Sequence, residues 1–224
     1  MPSTPFVVRP LSKHTATVVI LHGLGDQGSS WSFLGQMLGR RLPHVKWIFP
    51  NAPTRPVTLN GGMPMPAWFD IASLNRDCAE DKAGFDQSAD LVETLVQAER
   101  KLGIPRERIV IGGFSQGAAV TLYHGLRGGP DAPCAGLIAL SGWLPMHQAF
   151  AEWATNAHAK QIPIFQGHGD QDEVVAYAWG QRSYEALKKA GFSSTFVSYP
   201  GLGHSVADQE IEDVGRFLEK CLSS

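Results

Sequence analysis

The stretch Arg108-Ile109-Val110-Ile111-Gly112-Gly113-Phe114-Ser115-Gln116-Gly117-Ala118 decides the fold. The run Arg108 to Ile111 predicts a strand, Ala118 to Leu126 predicts a helix, and Ser115 stands at the sharp turn between them. A serine held in so tight a turn leaves no space for Cβ atoms on the neighbouring backbone, and Gly113 and Gly117 answer that need. A Gly-x-Ser-x-Gly pentapeptide in this setting lifts its hydroxyl clear of the sheet.

The rest of the chain repeats the alternation. Strands are predicted at Thr17 to Leu21, Val45 to Phe49, Gly136 to Leu140, Ile162 to Gln166 and Thr195 to Tyr199. Helices are predicted at Ser30 to Leu42, Phe85 to Leu102, Gln116 to Arg127, Tyr177 to Ala190 and Asp208 to Cys221. Short β-branched runs separated by helical periodicity imply an α/β fold, a mostly parallel sheet covered on both faces. Leu91, Leu95 and Leu102 with Val92 and Val96 form the expected apolar stripe of the second helix, which Gly103 and Pro105 stop. Ile211, Val214, Leu218 and Cys221 give the last helix its core face. At 224 residues and 43% hydrophobic content, residues 1–224 fit a single domain.

A net charge of −2 with no cluster of lysines or arginines gives no footprint for nucleic acid or an anionic membrane. Cys78, Cys134 and Cys221 are odd in number and far apart, so they read as free thiols in a reducing, cytoplasmic setting, with no disulfide framework and no zinc site. The longest early apolar run, Val18 to Leu21, is far too short to span a bilayer. The ends Met1-Pro2-Ser3 and Leu222-Ser223-Ser224 lack lipidation patterns, which leaves at most transient membrane contact.

Ala52 to Asp70 breaks the alternation. With Pro53, Pro56, Pro64, Pro66 and Gly61-Gly62 it is too long and too rich in breakers for a routine connection, which marks it as a functional loop. Its Val57, Leu59, Met63, Met65, Trp68 and Phe69 suit a loop folded over something apolar.

A serine hydroxyl is a weak nucleophile at neutral pH and needs a base oriented by an acid. The predicted strand Ile162 to Gln166 runs into Gly167-His168-Gly169-Asp170-Gln171-Asp172, and Thr195 to Tyr199 runs into Pro200-Gly201-Leu202-Gly203-His204. Sites form at such carboxyl ends of parallel strands. His204 is the candidate base; Asp170 and Asp172 are both candidate acids, each also able to cap the next helix, and Asp172 is preferred. Donors for a developing oxyanion are expected from the amide of Gln116 and, in His22-Gly23-Leu24-Gly25-Asp26, from the amide of Leu24. His22 is read as a side chain fixing that loop.

These segments, together with Leu140-Ser141-Gly142-Trp143-Leu144-Pro145 and Trp68-Phe69-Asp70, resemble the acyl-protein thioesterase and lysophospholipase-like carboxylesterase family over almost the whole chain. The resemblance implies the α/β-hydrolase fold, a Ser115, Asp172, His204 triad and an oxyanion hole from Leu24 and Gln116. It also implies a cytosolic hydrolase without cofactor, acting on S-acylated proteins or acyl lipids as a monomer or weak homodimer. Many relatives have glycine where Ala118 stands, a helical position that alanine suits. An acyl-chain groove is expected at Met63, Met65, Leu74 and Trp143.

Overall fold

The computed structural model describes residues 4–74, 79–127, 134–155 and 158–223. In chain order its strands are β1 (Phe6–Val8), β2 (Ala16–Leu21), β3 (Val45–Phe49), β4 (Thr54–Val57), β5 (Met63–Pro66), β6 (Ile109–Phe114), β7 (Gly136–Leu140), β8 (Ile164–Gly169) and β9 (Ser194–Tyr199). Seven of them form one sheet in the order β1-β3-β2-β6-β7-β8-β9. All neighbours run parallel except β1, which lies antiparallel on β3. The helices are α1 (Ser32–Leu38), α2 (Lys82–Lys101), α3 (Gln116–Leu126), α4 (Phe150–Trp153), α5 (Tyr177–Lys189) and α6 (Asp208–Cys221).

Strand periodicity divides the core into two layers. In β2, Val19 and Leu21 pack with α2 and α3, whereas Val18 and Ile20 pack with α1 and α6. β6 and β7 split in the same way, Ile109, Ile111, Leu137 and Ala139 to one layer and Val110, Ile138 and Leu140 to the other. The central strands are therefore apolar on both faces, as the α/β reading expects.

Several expectations need correction. The predicted strand at Ile162 to Gln166 runs instead from Ile164 to Gly169, and the one ending at Ile111 continues to Phe114. The predicted helix Ser30 to Leu42 is a 3-10 turn at Gly28–Trp31 followed by the two-turn α1. In α2 the buried stripe is Phe85, Ala89, Val92 and Val96; Leu91 and Leu95 are half-buried and Leu102 is 65% exposed, because it lies at the C-cap, beyond the stripe. β1 was not anticipated, being three residues between Pro5 and Pro10.

The proline-rich segment is a hairpin. β4 and β5 pair antiparallel with Pro56 opposite Pro64 and Thr54 opposite Pro66. All three prolines occupy one class of ladder position, the non-hydrogen-bonded one, where no N–H is required. Of the thiols, Cys134 and Cys221 are free, and burial raises them to about 11 and about 12 respectively. Cys78 lies outside the described residues.

Candidate active site

Ser115 links β6 to α3 with φ 54° and ψ −118°, a conformation that costs a non-glycine residue strain. A Cβ at Gly113 would overlap the Gly117 carbonyl, and one at Gly117 would overlap the Leu21 carbonyl, so the turn closes only with glycine at both places. Parallel register brings the C-terminal ends of β6, β8 and β9 to one side of the sheet, with the candidate residues on the loops beyond them.

There Ser115 Oγ lies 3.0 Å from His204 Nε2, and His204 Nδ1 lies 2.7 Å from Asp172 Oδ2. With the imidazole proton on Nδ1, donated to Asp172, Nε2 is left to accept from the serine hydroxyl. Asp172 is 5% exposed and its other oxygen accepts the Val174 and Val175 N–H groups, both at 2.9 Å. Burial alone would raise its pKa, but His168, His204 and the Val175 N–H outweigh burial and hold it well below the usual carboxylate range. Asp170 stands outside this relay, accepting the Gly201 N–H at 2.7 Å. Phe114 packs its ring 4.7 Å from that of His204.

His22 holds the glycine loop and is no free base. Its Nε2 accepts the Ala52 N–H at 3.0 Å, which places the ring proton on Nδ1, donated to the Gly23 carbonyl at 2.7 Å. Burial lowers its pKa and keeps it neutral. The loop is further tied by Gly25 N–H to the Pro66 carbonyl and by the Trp31 indole to Asp26. Among the described residues, neither the Leu24 nor the Gln116 N–H reaches an acceptor of the protein.

Two contributions escaped the sequence reading. The fully buried Gln116 side chain accepts the Trp68 N–H and donates to the Phe69 carbonyl, each at 2.7 Å, while the Trp68 indole donates to the His22 carbonyl and Ser88 donates to the Trp68 carbonyl. One network thus joins the elbow to the glycine loop. His168, 1% exposed, donates from Nε2 to the Val175 carbonyl at 2.8 Å and stands 3.4 Å from Asp172 Oδ2, fitting only because Gly180 of α5 has no Cβ. The paired glycines around His168 were the one sequence signal for it.

A cleft of about 360 Å³ opens over Ser115 and His204, walled by Leu24, Leu59, Ile71, Leu74, Phe114, Trp143, Val174 and Val175. Leu74 and Trp143, two of the residues expected at an acyl groove, line this cleft, Trp143 held by its indole on Glu80. Met63 and Met65, the other two, do not line it. The hairpin arms lie to the side, leaving Met63 62% exposed and Met65 Sδ against Asn60, while the turn bearing Leu59 reaches the cleft. Among the described residues no group of three or more His, Cys, Asp or Glu is arranged to hold a metal ion.

The Phospholipase/Carboxylesterase family model matches residues 2–222. An acyl-protein thioesterase 1 of Cryptococcus neoformans var. neoformans is 45% identical over 96% of this chain and 96% of its own. An acyl-protein thioesterase 1 homolog of Dictyostelium discoideum is 41% identical over 97% and 95%. The crystal structure of Zea mays acyl-protein thioesterase 2 superposes with a TM-score of 0.88 at 41% identity, over 98% of this chain and 99% of that one. With the parallel sheet, the serine elbow after its central strand and a match over nearly the whole chain, the protein belongs to the phospholipase/carboxylesterase family and is a hydrolase of the α/β-hydrolase superfamily.

Proposed function

We propose that the protein cleaves long-chain acyl thioesters of S-acylated proteins through a covalent acyl-enzyme, with Ser115 as nucleophile, His204 as base and then acid, and Asp172 as the orienting acid. The observation that carries this reading is the unbroken relay from Ser115 Oγ to His204 to Asp172 beside two unengaged N–H groups. His204 Nε2 takes the hydroxyl proton as Oγ attacks the acyl carbon, and the Leu24 and Gln116 N–H groups receive the oxyanion. Collapse of the tetrahedral intermediate expels the thiol, protonated by His204; water, deprotonated by the same nitrogen, then releases the fatty acid. Asp172, kept ionised, stabilises the imidazolium in both steps.

The apolar cleft walls suit a hydrocarbon chain, and the similarity to acyl-protein thioesterases favours acyl-protein substrates. A second reading, an esterase or lysophospholipase on oxygen esters, is favoured by the family's own description. The reading further places residues 1–224 in the cytoplasm as one catalytic domain, monomeric or weakly dimeric; among the described residues no helix is long and apolar enough to cross a membrane. A panel of palmitoyl-peptide thioester, lysophosphatidylcholine and short nitrophenyl esters decides between substrates. Fluorophosphonate labelling that is lost in Ser115→Ala tests the nucleophile; an unlabelled protein overturns the mechanism.

A further inference from the structure

Residues 1–69 carry six lysines and arginines and one acid, Asp26. Among the described residues Asp26 pairs with none of those cations: Lys46 is engaged by Glu99, Arg41 by Glu212 and Glu219, and Arg55 by Asp81. Asp26 instead lines the cleft that holds Ser115 and His204. No lysine, arginine or second carboxylate lines that cleft among the described residues, so Asp26 sets the charge of an otherwise apolar wall.

The carboxylate is held in place from the glycine loop. The Asp26 N–H reaches the Gly23 carbonyl at 3.3 Å across the left-handed turn at Gly25, φ 77°. Its Oδ1 accepts the Gln27 N–H at 2.8 Å, and its Oδ2 accepts the indole N–H of the buried Trp31 at 3.0 Å. A carboxylate accepts about four hydrogen bonds, so with these two made it has room for more. A fixed anion with spare acceptor capacity in the cleft of Ser115 suits a cation that brings its own N–H donors.

We propose that Asp26 selects the leaving group, binding a lysine or arginine next to the acylated cysteine of a protein substrate. This rests on the thioester reading above. The acyl chain belongs on the apolar walls at Leu59, Ile71 and Leu74, because hydrocarbon packed on a carboxylate strips its water and returns no hydrogen bond. Asp26 is left to meet the group from which the acyl chain departs. A choline headgroup is the poorer match, since its ammonium has no N–H to donate and its phosphate carries a charge that Asp26 repels.

The test is kcat/KM on three S-octanoyl cysteine peptides, identical except for Lys, Gln or Glu beside the acylated residue. Efficiency should fall in the order Lys, Gln, Glu by about fivefold per step, the scale for unit charges about 4 Å apart in water, and the spread should narrow as salt is added. In Asp26→Asn the three efficiencies should lie within about twofold of one another. The ratio is the readout, so a general loss of turnover from a loosened loop cancels. Trp31→Phe, which removes the indole hydrogen bond and keeps the charge, should retain the order; if it levels the series as Asp26→Asn does, Asp26 is an anchor for the loop and the proposal falls. Loss of lysophosphatidylcholine hydrolysis in Asp26→Asn with the peptide order unmoved would assign the carboxylate to choline and overturn it too. The same peptides acylated on serine separate this proposal from the thioester reading. Cleavage of the serine esters alone, in the order Lys, Gln, Glu, would sink that reading and keep the subsite, whereas equal efficiencies on the thioesters would sink the subsite and keep the reading.

Discussion

The carboxamide oxygen of Gln116 accepts the backbone N–H of Trp68 at 2.7 Å, so the residue after the serine grips the segment that leaves the hairpin towards α2. Because the same amide donates to the Phe69 carbonyl, a carboxylate cannot replace it, whereas a protonated acid can. Gln116→Glu is expected to keep most of its turnover at pH where the new side chain is protonated and to lose ten- to a hundredfold as it ionises, about 1–3 kcal/mol for a buried group left without its partner. Gln116→Ala should lose activity at every pH. The measurement is kcat against pH on a short ester; a profile matching the unmodified protein rules out the clamp.

Asp172 and Asp170 are two residues apart but differ in partner, His204 for one and the Gly201 N–H for the other. Asp172→Asn should reduce kcat by roughly 10⁴, the scale seen when a triad loses its orienting acid, and Ser115→Ala should abolish labelling and turnover together. Asp170→Asn should cost less than tenfold, since the amide oxygen still accepts from Gly201. Reversal of the two asparagine effects would move the acid to Asp170.

Leu59 and Leu74 are 38% and 44% exposed at the cleft mouth, so polar replacements there leave the core intact. Each methylene taken from water contributes about 0.8 kcal/mol at most, so catalytic efficiency should climb with acyl length until the cleft is filled. Leu74→Asp should flatten that climb while sparing acetyl esters, and Met63→Asp, outside the cleft, should leave it unchanged. Parallel chain-length series for the two variants would refute the groove if both flattened or neither did.

Glu210 is fully buried at the start of α6 with neither carboxyl oxygen hydrogen-bonded among the described residues, and it fills the space above Gly167. Burial, reinforced by the Asp213 charge, raises its pKa to about 8. The unfolded chain releases this proton near the ordinary value of 4.5, so between there and about 8 the native state holds more protons and stability falls as pH rises. The slope is about 1.4 kcal/mol per pH unit from this group at most. Glu210→Gln, neutral throughout, should match the unmodified protein near pH 4 and melt at higher temperature by pH 8; a constant difference in Tm across that range would refute the buried acid.

Local signals were legible where one segment sufficed. The elbow at Ser115 and the strands Val45–Phe49 and Gly136–Leu140 follow directly from apolar runs and their punctuation. Glycines misled wherever they served packing in place of turning. Gly112 continues β6, and Gly167 and Gly169 continue β8, because Ile20, Ile138, Glu210 and the Leu202 carbonyl occupy the positions their Cβ atoms would take. The hairpin was hidden because prolines are read as breakers, although here they fall only where the ladder needs no donor. The part played by His168 depends on Val175 and Gly180, which approach it only once the chain has folded.

Asp172 takes its backbone hydrogen bonds from Val174 and Val175, and those two valines also wall the cleft. On the proposed mechanism, selectivity and rate are therefore not independent traits of this protein. A substitution that reshapes the valine wall for a new acyl group shifts the turn that aims the carboxylate at His204. Adaptation to a new substrate is then easier through the opposite side, at Leu59, Ile71 and Leu74, where side chains face the same space without touching the relay.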